Sequence, residues 1–151
     1  MRRLTAIAAV LCLLASPWHA AHAQATAPIP LELNKLEPLP AGAAGPGCRV
    51  YMVVSNPDAD PIAQLRLDLM LFGTDGVITK RIALDLAPLA AKKTAVRLFD
   101  LADAPCDGIG KILVSDVLAC QTGKPPAADT PPGVCLDRLQ VSARGKVELT
   151  K

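Results

Sequence analysis

Histidine and aromatic residues are scarce in this chain of 151 residues. Both histidines and the single tryptophan precede residue 24. Without histidine, residues 24–151 cannot form Ser-His-Asp or Cys-His catalytic groups, and they lack the usual ligand of catalytic zinc and of most copper sites. The aromatic residues that remain are Tyr51, Phe72 and Phe99. Three rings that must also pack in the core leave few for stacking on bases or sugars, so we expect no nucleic-acid partner. Because histidine is absent as well, we expect no enzyme, no cofactor and no metal.

Residues 24–151 also have no excess of charge of either sign. Arg2 and Arg3 are two of the 16 basic residues, and all 14 acidic residues follow Ala23, so this region holds 14 of each. Because the charges are balanced and scattered, they form no basic patch that would attract nucleic acid or anionic lipid.

Residues 1–23 have the three parts of a secretory signal peptide. Arg2 and Arg3 supply the positive start, an apolar run of about a dozen residues follows, and Ala-His-Ala at 21–23 is a cleavage site. The run is too short for a bilayer, which needs about 20 residues. We expect cleavage before Gln24, export by the Sec or the twin-arginine route, and a periplasmic protein with no membrane insertion after cleavage.

Four cysteines follow the predicted cleavage site. They are Cys48, Cys106, Cys120 and Cys135. An even number in an exported chain of this size predicts two structural disulfides, although four cysteines allow three pairings. No Cys-x-x-Cys pair occurs, which argues against a thioredoxin-like redox site and against a zinc knuckle.

Short apolar runs separated by turn residues continue through the rest of the chain. Seven runs indicate strands, with turn signals at intervals of roughly 8–12 residues. They lie near residues 31–36, 48–55, 65–72, 78–86, 94–99, 109–120 and 136–150. The run at 65–72 also fits a helix, but the Asp-Gly pair at 75–76 favours a hairpin with the next run. Residues 123–133 contain four prolines and predict an irregular loop.

This pattern predicts an all-β fold, an immunoglobulin-like antiparallel β-sandwich of about seven strands over residues 31–151. Residues 24–30 are interpreted as a flexible lead-in. In a Greek-key order the second and sixth strands face each other across the sandwich, which favours a Cys48–Cys106 disulfide. Cys120 and Cys135 would then close the proline-rich loop at the other end.

Two resemblances support this interpretation. Cys-Arg-Val-Tyr at 48–51, Asn-Pro at 56–57 and the segment from Phe72 to the Asp-Gly turn resemble periplasmic immunoglobulin-like domains of the FxLYD type, although Gly73-Thr74 replaces the usual acidic spacing. The chain also resembles an alphaproteobacterial exported family labelled "Tat pathway signal sequence domain protein". The shared segments are residues 47–51, 98–99, 105–107, 116–120 and 135–137. The resemblance implies export, a β-sandwich and disulfides, and no particular activity.

A few polar residues are candidates for binding. Asn56, Asp58 and Asp60 alternate as in the start of a calcium loop, but the glycine and glutamate of an EF-hand are absent at the required positions. Asp100, Asp103 and Asp107 near Cys106 are interpreted as solvated turn residues. We therefore expect a protein-interaction or structural module with a periplasmic protein partner, acting through an exposed strand edge or through the loop at 124–134. The alternative is a small-ligand or calcium-binding domain.

Overall fold

A computed structural model describes residues 27–42, 45–124 and 128–151. The predicted signal peptide at 1–23 lies outside the described residues. Nine strands and one α-helix occur in the described part of the chain. The strands are β1 (Ile29–Gly42), β2 (Gly45–Ser55), β3 (Ile62–Gly73), β4 (Ile78–Asp85), β5 (Thr94–Leu101), β6 (Ile109–Thr122), β7 (Ala128–Asp129), β8 (Leu139–Ala143) and β9 (Glu148–Thr150). Helix α1 is Pro132–Arg138, and a single 3-10 turn at Cys106–Gly108 precedes β6.

The strands form two sheets, which confirms the predicted sandwich. One sheet has the order β5-β2-β1-β8, and the other has the order β4-β3-β6, with β7 and β9 on the far side of β6. The central strands of each sheet therefore follow the order of immunoglobulin-like domains. Two pairings depart from the predicted antiparallel arrangement, because β1 pairs with β8 and β6 pairs with β9 in parallel, so both sheets are mixed.

Alternation of side chains explains why residues 62–73 form a strand and not a helix. Leu65, Leu67, Leu69 and Leu71 are fully buried, whereas Gln64 and Arg66 are exposed. A period of two places such residues on opposite faces of a sheet. The following turn is the predicted hairpin, in which Gly76 adopts a positive φ of 80° and the Asp75 carboxylate accepts a hydrogen bond from the Val77 amide.

A single aliphatic core lies between the sheets. It contains inward residues of both sheets, and none of the three aromatic rings is fully buried. Two disulfides reinforce this small core: Cys48 is joined to Cys106, and Cys120 is joined to Cys135, with Cα–Cα distances of 4.9 and 6.6 Å. This is the pairing predicted from the strand order.

The C-terminal third differs most from the predictions. Residues 123–133 were expected to be irregular and 136–150 to be a strand, but α1 covers Pro132–Arg138 and β7 pairs with the end of β6. Proline is favoured in the first turn of a helix, where its missing N–H costs nothing, so Pro131 and Pro132 start α1 and do not prevent it. At the other terminus, β1 begins at Ile29, which is fully buried, inside the predicted lead-in of 24–30.

Candidate interaction surface

Two of the three side chains proposed as calcium ligands, Asn56 and Asp58, make internal contacts. Asn56 is 1% exposed, and its Nδ2 donates to the carbonyl oxygens of Asp60, Leu89 and Ala90 at 2.9, 3.3 and 3.2 Å. The Asn56 Oδ1 accepts a hydrogen bond from the Asp58 amide at 3.0 Å. These bonds fasten the loop after β2 to the segment before β5, which is a structural use of the asparagine.

Asp58 forms an ion pair with Arg138 of α1. Within the described residues, no group of three or more His, Cys, Asp or Glu side chains could hold a metal ion. Neither Asn56 nor Asp58 therefore presents its oxygen atoms toward a common ligand.

The three aspartates near Cys106 lie in three different elements of the fold. Asp100 lies in β5 and not in the predicted loop, and Arg49 of β2 donates to its two carboxylate oxygens at 2.7 and 2.8 Å. Asp103 has a positive φ of 55° in the turn that follows, and Asp107 lies in the 3-10 turn. Asp100 thus belongs to a cross-strand ion pair.

The predicted loop at 124–134 is described in part. Residues 125–127 lie outside the described residues. On either side of them, β7 pairs with β6, and the Thr122 and Thr130 hydroxyls lie 2.9 Å apart. Val134 of α1 is 45% exposed, and so is Leu118 of β6, the strand to which the Cys120–Cys135 disulfide joins α1. Besides the exposed Pro131 and Pro132, the described part of this loop therefore offers one large apolar side chain.

A larger apolar surface lies on the outer face of β2 and β5. The register places Tyr51 opposite Leu98 and Val53 opposite Val96. Val96 and Leu98 are each 52% exposed, whereas Cys48, Val50, Met52 and Val54 on the other side of β2 are fully buried. We call these four outward residues, Tyr51, Val53, Val96 and Leu98, the apolar patch.

Polar pairs border the apolar patch at both ends. Arg49 and Asp100 lie beyond Tyr51 and Leu98, and the hydroxyls of Ser55 and Thr94, 2.7 Å apart, lie beyond Val53 and Val96. An apolar centre with a polar rim is the usual composition of a protein–protein contact.

Charges beside the apolar patch are held in fixed positions. The hydrogen bond from Arg49 lowers the pKa of the Asp100 carboxyl, and Asp100 in turn raises the pKa of Arg49. On β1, the hydrogen bond from the Tyr51 hydroxyl and the contact with Lys35 lower the pKa of Glu37. The same hydrogen bond to Glu37 raises the pKa of Tyr51. The rim therefore stays ionised at neutral pH with its two signs balanced.

Two cations of the other sheet lie over part of its outer face. The Lys111 ammonium lies 4.3 Å from the centre of the Phe72 ring, and Arg81 makes two hydrogen bonds to the Asp68 carboxylate at 2.8 and 3.0 Å. A cation over an aromatic ring is attracted to the face of the ring and shields that face from solvent. Phe72 is therefore shielded, whereas Ile78 of β4 and Leu118 of β6, on strands that do not pair with each other, stay 56% and 45% exposed.

In the part of the chain that the structure describes, β5 is also an edge strand without a second neighbour. It pairs only with β2, and among the described residues no backbone hydrogen bond joins residues 94–101 to any other segment. β5 has eight residues in continuous register, with no proline, lysine or bulge, and its one inward-pointing charged residue is Arg97. Exposed edges usually carry such features because they block the addition of a further strand.

The other edges are shorter or better protected. β4 has Lys80 and Arg81 and a register irregularity near its start, whereas β8 has five residues, β9 has three and β7 has two. Within the described residues, β5 therefore combines the longest regular free edge with adjoining exposed apolar side chains.

Sequence reasoning anticipated an exposed strand edge but did not identify β5. The alternation at 94–99 placed Val96 and Leu98 on one face and Ala95, Arg97 and Phe99 on the other, and both faces contain apolar residues. Periodicity cannot choose between two such faces. The register with β2 shows which face of β5 points outward, because Phe99 lies opposite buried Val50, whereas Leu98 lies opposite Tyr51.

Comparison of the chain with protein-family models, curated proteins and solved structures finds no significant match. Within the described residues, no helix has the length and apolar character needed to cross a membrane.

Proposed function

We propose that this chain is an exported, non-catalytic protein-interaction module of the periplasm, and that it binds its partner through the apolar patch and the free edge of β5. The observation that carries this proposal is the position of Val96 and Leu98, each half-exposed on a regular strand whose outer edge has no pairing partner among the described residues. Exposed apolar side chains beside an open edge favour association, because full burial of an exposed apolar side chain contributes about 1.5–3 kcal/mol. Val96 and Leu98, each 52% exposed, would gain roughly half of that value.

Two further observations agree with an extracytoplasmic role. The four cysteines beyond residue 23 all form disulfides, which persist in oxidising compartments. The sequence of residues 1–23 has the pattern of a secretory signal peptide. Mass spectrometry of the protein recovered from its native envelope tests this part, with Gln24 as the expected first residue.

Site-specific cross-linking tests the binding surface. A photoreactive amino acid replaces Thr94 on the patch rim in one variant and Thr79 on β4 in another, and both are expressed in the native organism. We expect one protein cross-linked at position 94 and not at position 79. Capture should be lost in the Leu98→Lys variant and retained in the Ile78→Lys variant, since Ile78 is 56% exposed but lies on the other sheet.

The outcome that would overturn the proposal is equally specific. If folded Leu98→Lys protein captured the same protein as the wild type, or if position 79 gave the same product as position 94, the apolar patch would not be the binding surface.

A further inference from the structure

The size and charge of the surface at the β5 edge indicate which kind of partner segment can bind there. The apolar patch has four side chains, of which Val96 and Leu98 expose 52% of their surfaces. A standard interface buries roughly 800 Å² on each partner, which exceeds what four partly buried side chains can supply. A globular partner placed flat on the patch would therefore bury too little area, whereas an added strand gains backbone hydrogen bonds along the whole of β5.

Arg97 supplies the charge that defines the partner. It lies between Val96 and Leu98 and points inward, opposite buried Met52. Its Nε donates to the Leu86 carbonyl oxygen at 2.8 Å and its Nη2 donates to the Pro88 carbonyl oxygen at 2.7 Å. Among the described residues, no carboxylate lies within 4.0 Å of Arg97, and Nη1 has no hydrogen-bond partner. The edge therefore carries a cation whose charge is not balanced locally.

A strand added to β5 would place one residue directly opposite Arg97. Opposed side chains on neighbouring antiparallel strands have Cβ atoms about 4.5–5.5 Å apart, and pairs of opposite charge stabilise this arrangement. The residues on either side of that position would face outward beside Val96 and Leu98, where apolar side chains extend the patch.

We infer that the partner contributes an extended segment with the pattern apolar–acidic–apolar, which adds to β5 as a further strand with its Asp or Glu opposite Arg97. This inference rests on the proposed function and names the partner class. It disfavours a second copy of the chain, because the symmetric antiparallel register that aligns Val96 with Leu98 places Arg97 against Arg97. Like charges directly opposite each other are destabilising.

Synthetic peptides provide the probe. An acetylated and amidated peptide Ser-Thr-Val-Glu-Val-Thr-Ser is titrated into the full processed protein labelled with ¹⁵N. A matched peptide has Lys in place of Glu, and a third has Pro in place of the second Val, which removes a backbone donor. We expect shifts of amide signals confined to β5 and its neighbours, affinity about tenfold higher for the Glu peptide than for the Lys peptide, and no binding of the Pro peptide.

Charge reversal separates recognition from a structural role of Arg97. The Arg97→Glu variant should prefer the Lys peptide over the Glu peptide by about tenfold. The Arg97→Gln variant keeps a donor for the carbonyl oxygens, and it should bind both peptides equally. If Arg97→Glu fails to fold, the affinities of Arg97→Gln for the two peptides still show whether the charge of Arg97 sets the preference for the Glu peptide.

The inference would be overturned by equal affinity of the wild type for the Glu and Lys peptides, by shifts outside β5 and its neighbours, by no shifts at millimolar peptide, or by a dimer through β5. Failure here is distinguishable from failure of the proposed function. A cross-linked partner that depends on Leu98 but not on Arg97 would retain the interaction module and exclude the acidic strand.

Discussion

Arg138, the last residue of α1, forms an ion pair with Asp58, 80 residues earlier in the chain. The side chains are 8% and 25% exposed. Arg138 also donates two hydrogen bonds to the carbonyl oxygen of Ala27, at 3.0 and 3.1 Å. One guanidinium therefore connects the helix, the loop after β2 and the segment before β1.

Removing this guanidinium should destabilise the fold strongly. In Arg138→Met, the Asp58 carboxylate and the Ala27 carbonyl lose their partner in a poorly solvated place, so we expect a loss of about 2–4 kcal/mol in the free energy of unfolding. Urea unfolding with the disulfides intact measures it. The matched control is Arg66→Met, because the Arg66–Asp85 pair is 3.9 Å long and its side chains are 52% and 69% exposed. Its expected loss is below about 1 kcal/mol, and equal losses in the two variants would refute the argument.

The parts of the fold that depend on local sequence could be predicted. The Asp-Gly turn specifies the β3–β4 hairpin, and the alternating leucines of β3 specify a half-buried strand. The pairing of cysteines also followed once the strand order was assumed.

The parts that depend on distant contacts could not be predicted. The seven residues of α1 are too few for a recognisable helical period, and the helix is held by Cys135 and by the contacts of Arg138. The parallel pairing of β1 with β8 joins residues more than 100 positions apart and has no local signal. The apolar patch was missed because both faces of β5 contain apolar residues.

Asn56 should not tolerate a carboxylate. Its Nδ2 lies among three backbone carbonyl oxygens, so in Asn56→Asp an anion would replace the donor, with an expected cost of about 3 kcal/mol or more at pH 7. These carbonyls and burial would raise the pKa of the introduced carboxyl above its unfolded value. The deficit should therefore grow as the pH rises above about 4 and shrink at lower pH.

Urea unfolding of Asn56→Asp at pH 7 and pH 4 measures both effects. Gln64→Glu is the control, because it makes the same change of amide to carboxylate on the exposed face of β3 and should alter stability by less than about 0.5 kcal/mol. A pH-independent deficit would show that the introduced group is solvated and that the Asn56 contacts are not maintained.

The two disulfides should contribute unequally. Cys48–Cys106 closes a segment with a sequence separation of 58, and Cys120–Cys135 closes one of 15. On the chain-entropy model these loops correspond to about 4 and about 3 kcal/mol. Thermal unfolding of the paired alanine variants, Cys48→Ala with Cys106→Ala and Cys120→Ala with Cys135→Ala, should show the larger loss for the first pair. The reverse order would indicate that the Cys120–Cys135 bond acts mainly by holding α1 in place.

Acid should weaken the fold through carboxylates beside the apolar patch. Arg49 lowers the pKa of Asp100 below its ordinary value of 3.8, and the Tyr51 hydrogen bond and Lys35 lower that of Glu37 below 4.5. Since the folded pKa values are lower than the unfolded ones, these groups contribute stability above the unfolded values. That contribution is lost as the pH falls through the folded values. We expect the melting temperature to fall between about pH 5 and pH 2.

A carboxyl ¹³C titration of Asp100 isolates one of these groups. In the wild type its midpoint should lie below 3.8, and in Arg49→Gln it should move upward because the guanidinium that holds the carboxylate is gone. Arg66→Gln, which removes an exposed arginine of the other sheet, should leave the Asp100 midpoint unchanged. A wild-type midpoint at or above 3.8, or one that Arg49→Gln does not move, would show that the Arg49–Asp100 pair is not formed in solution. The polar rim of the apolar patch would then be open for charged contacts with the partner.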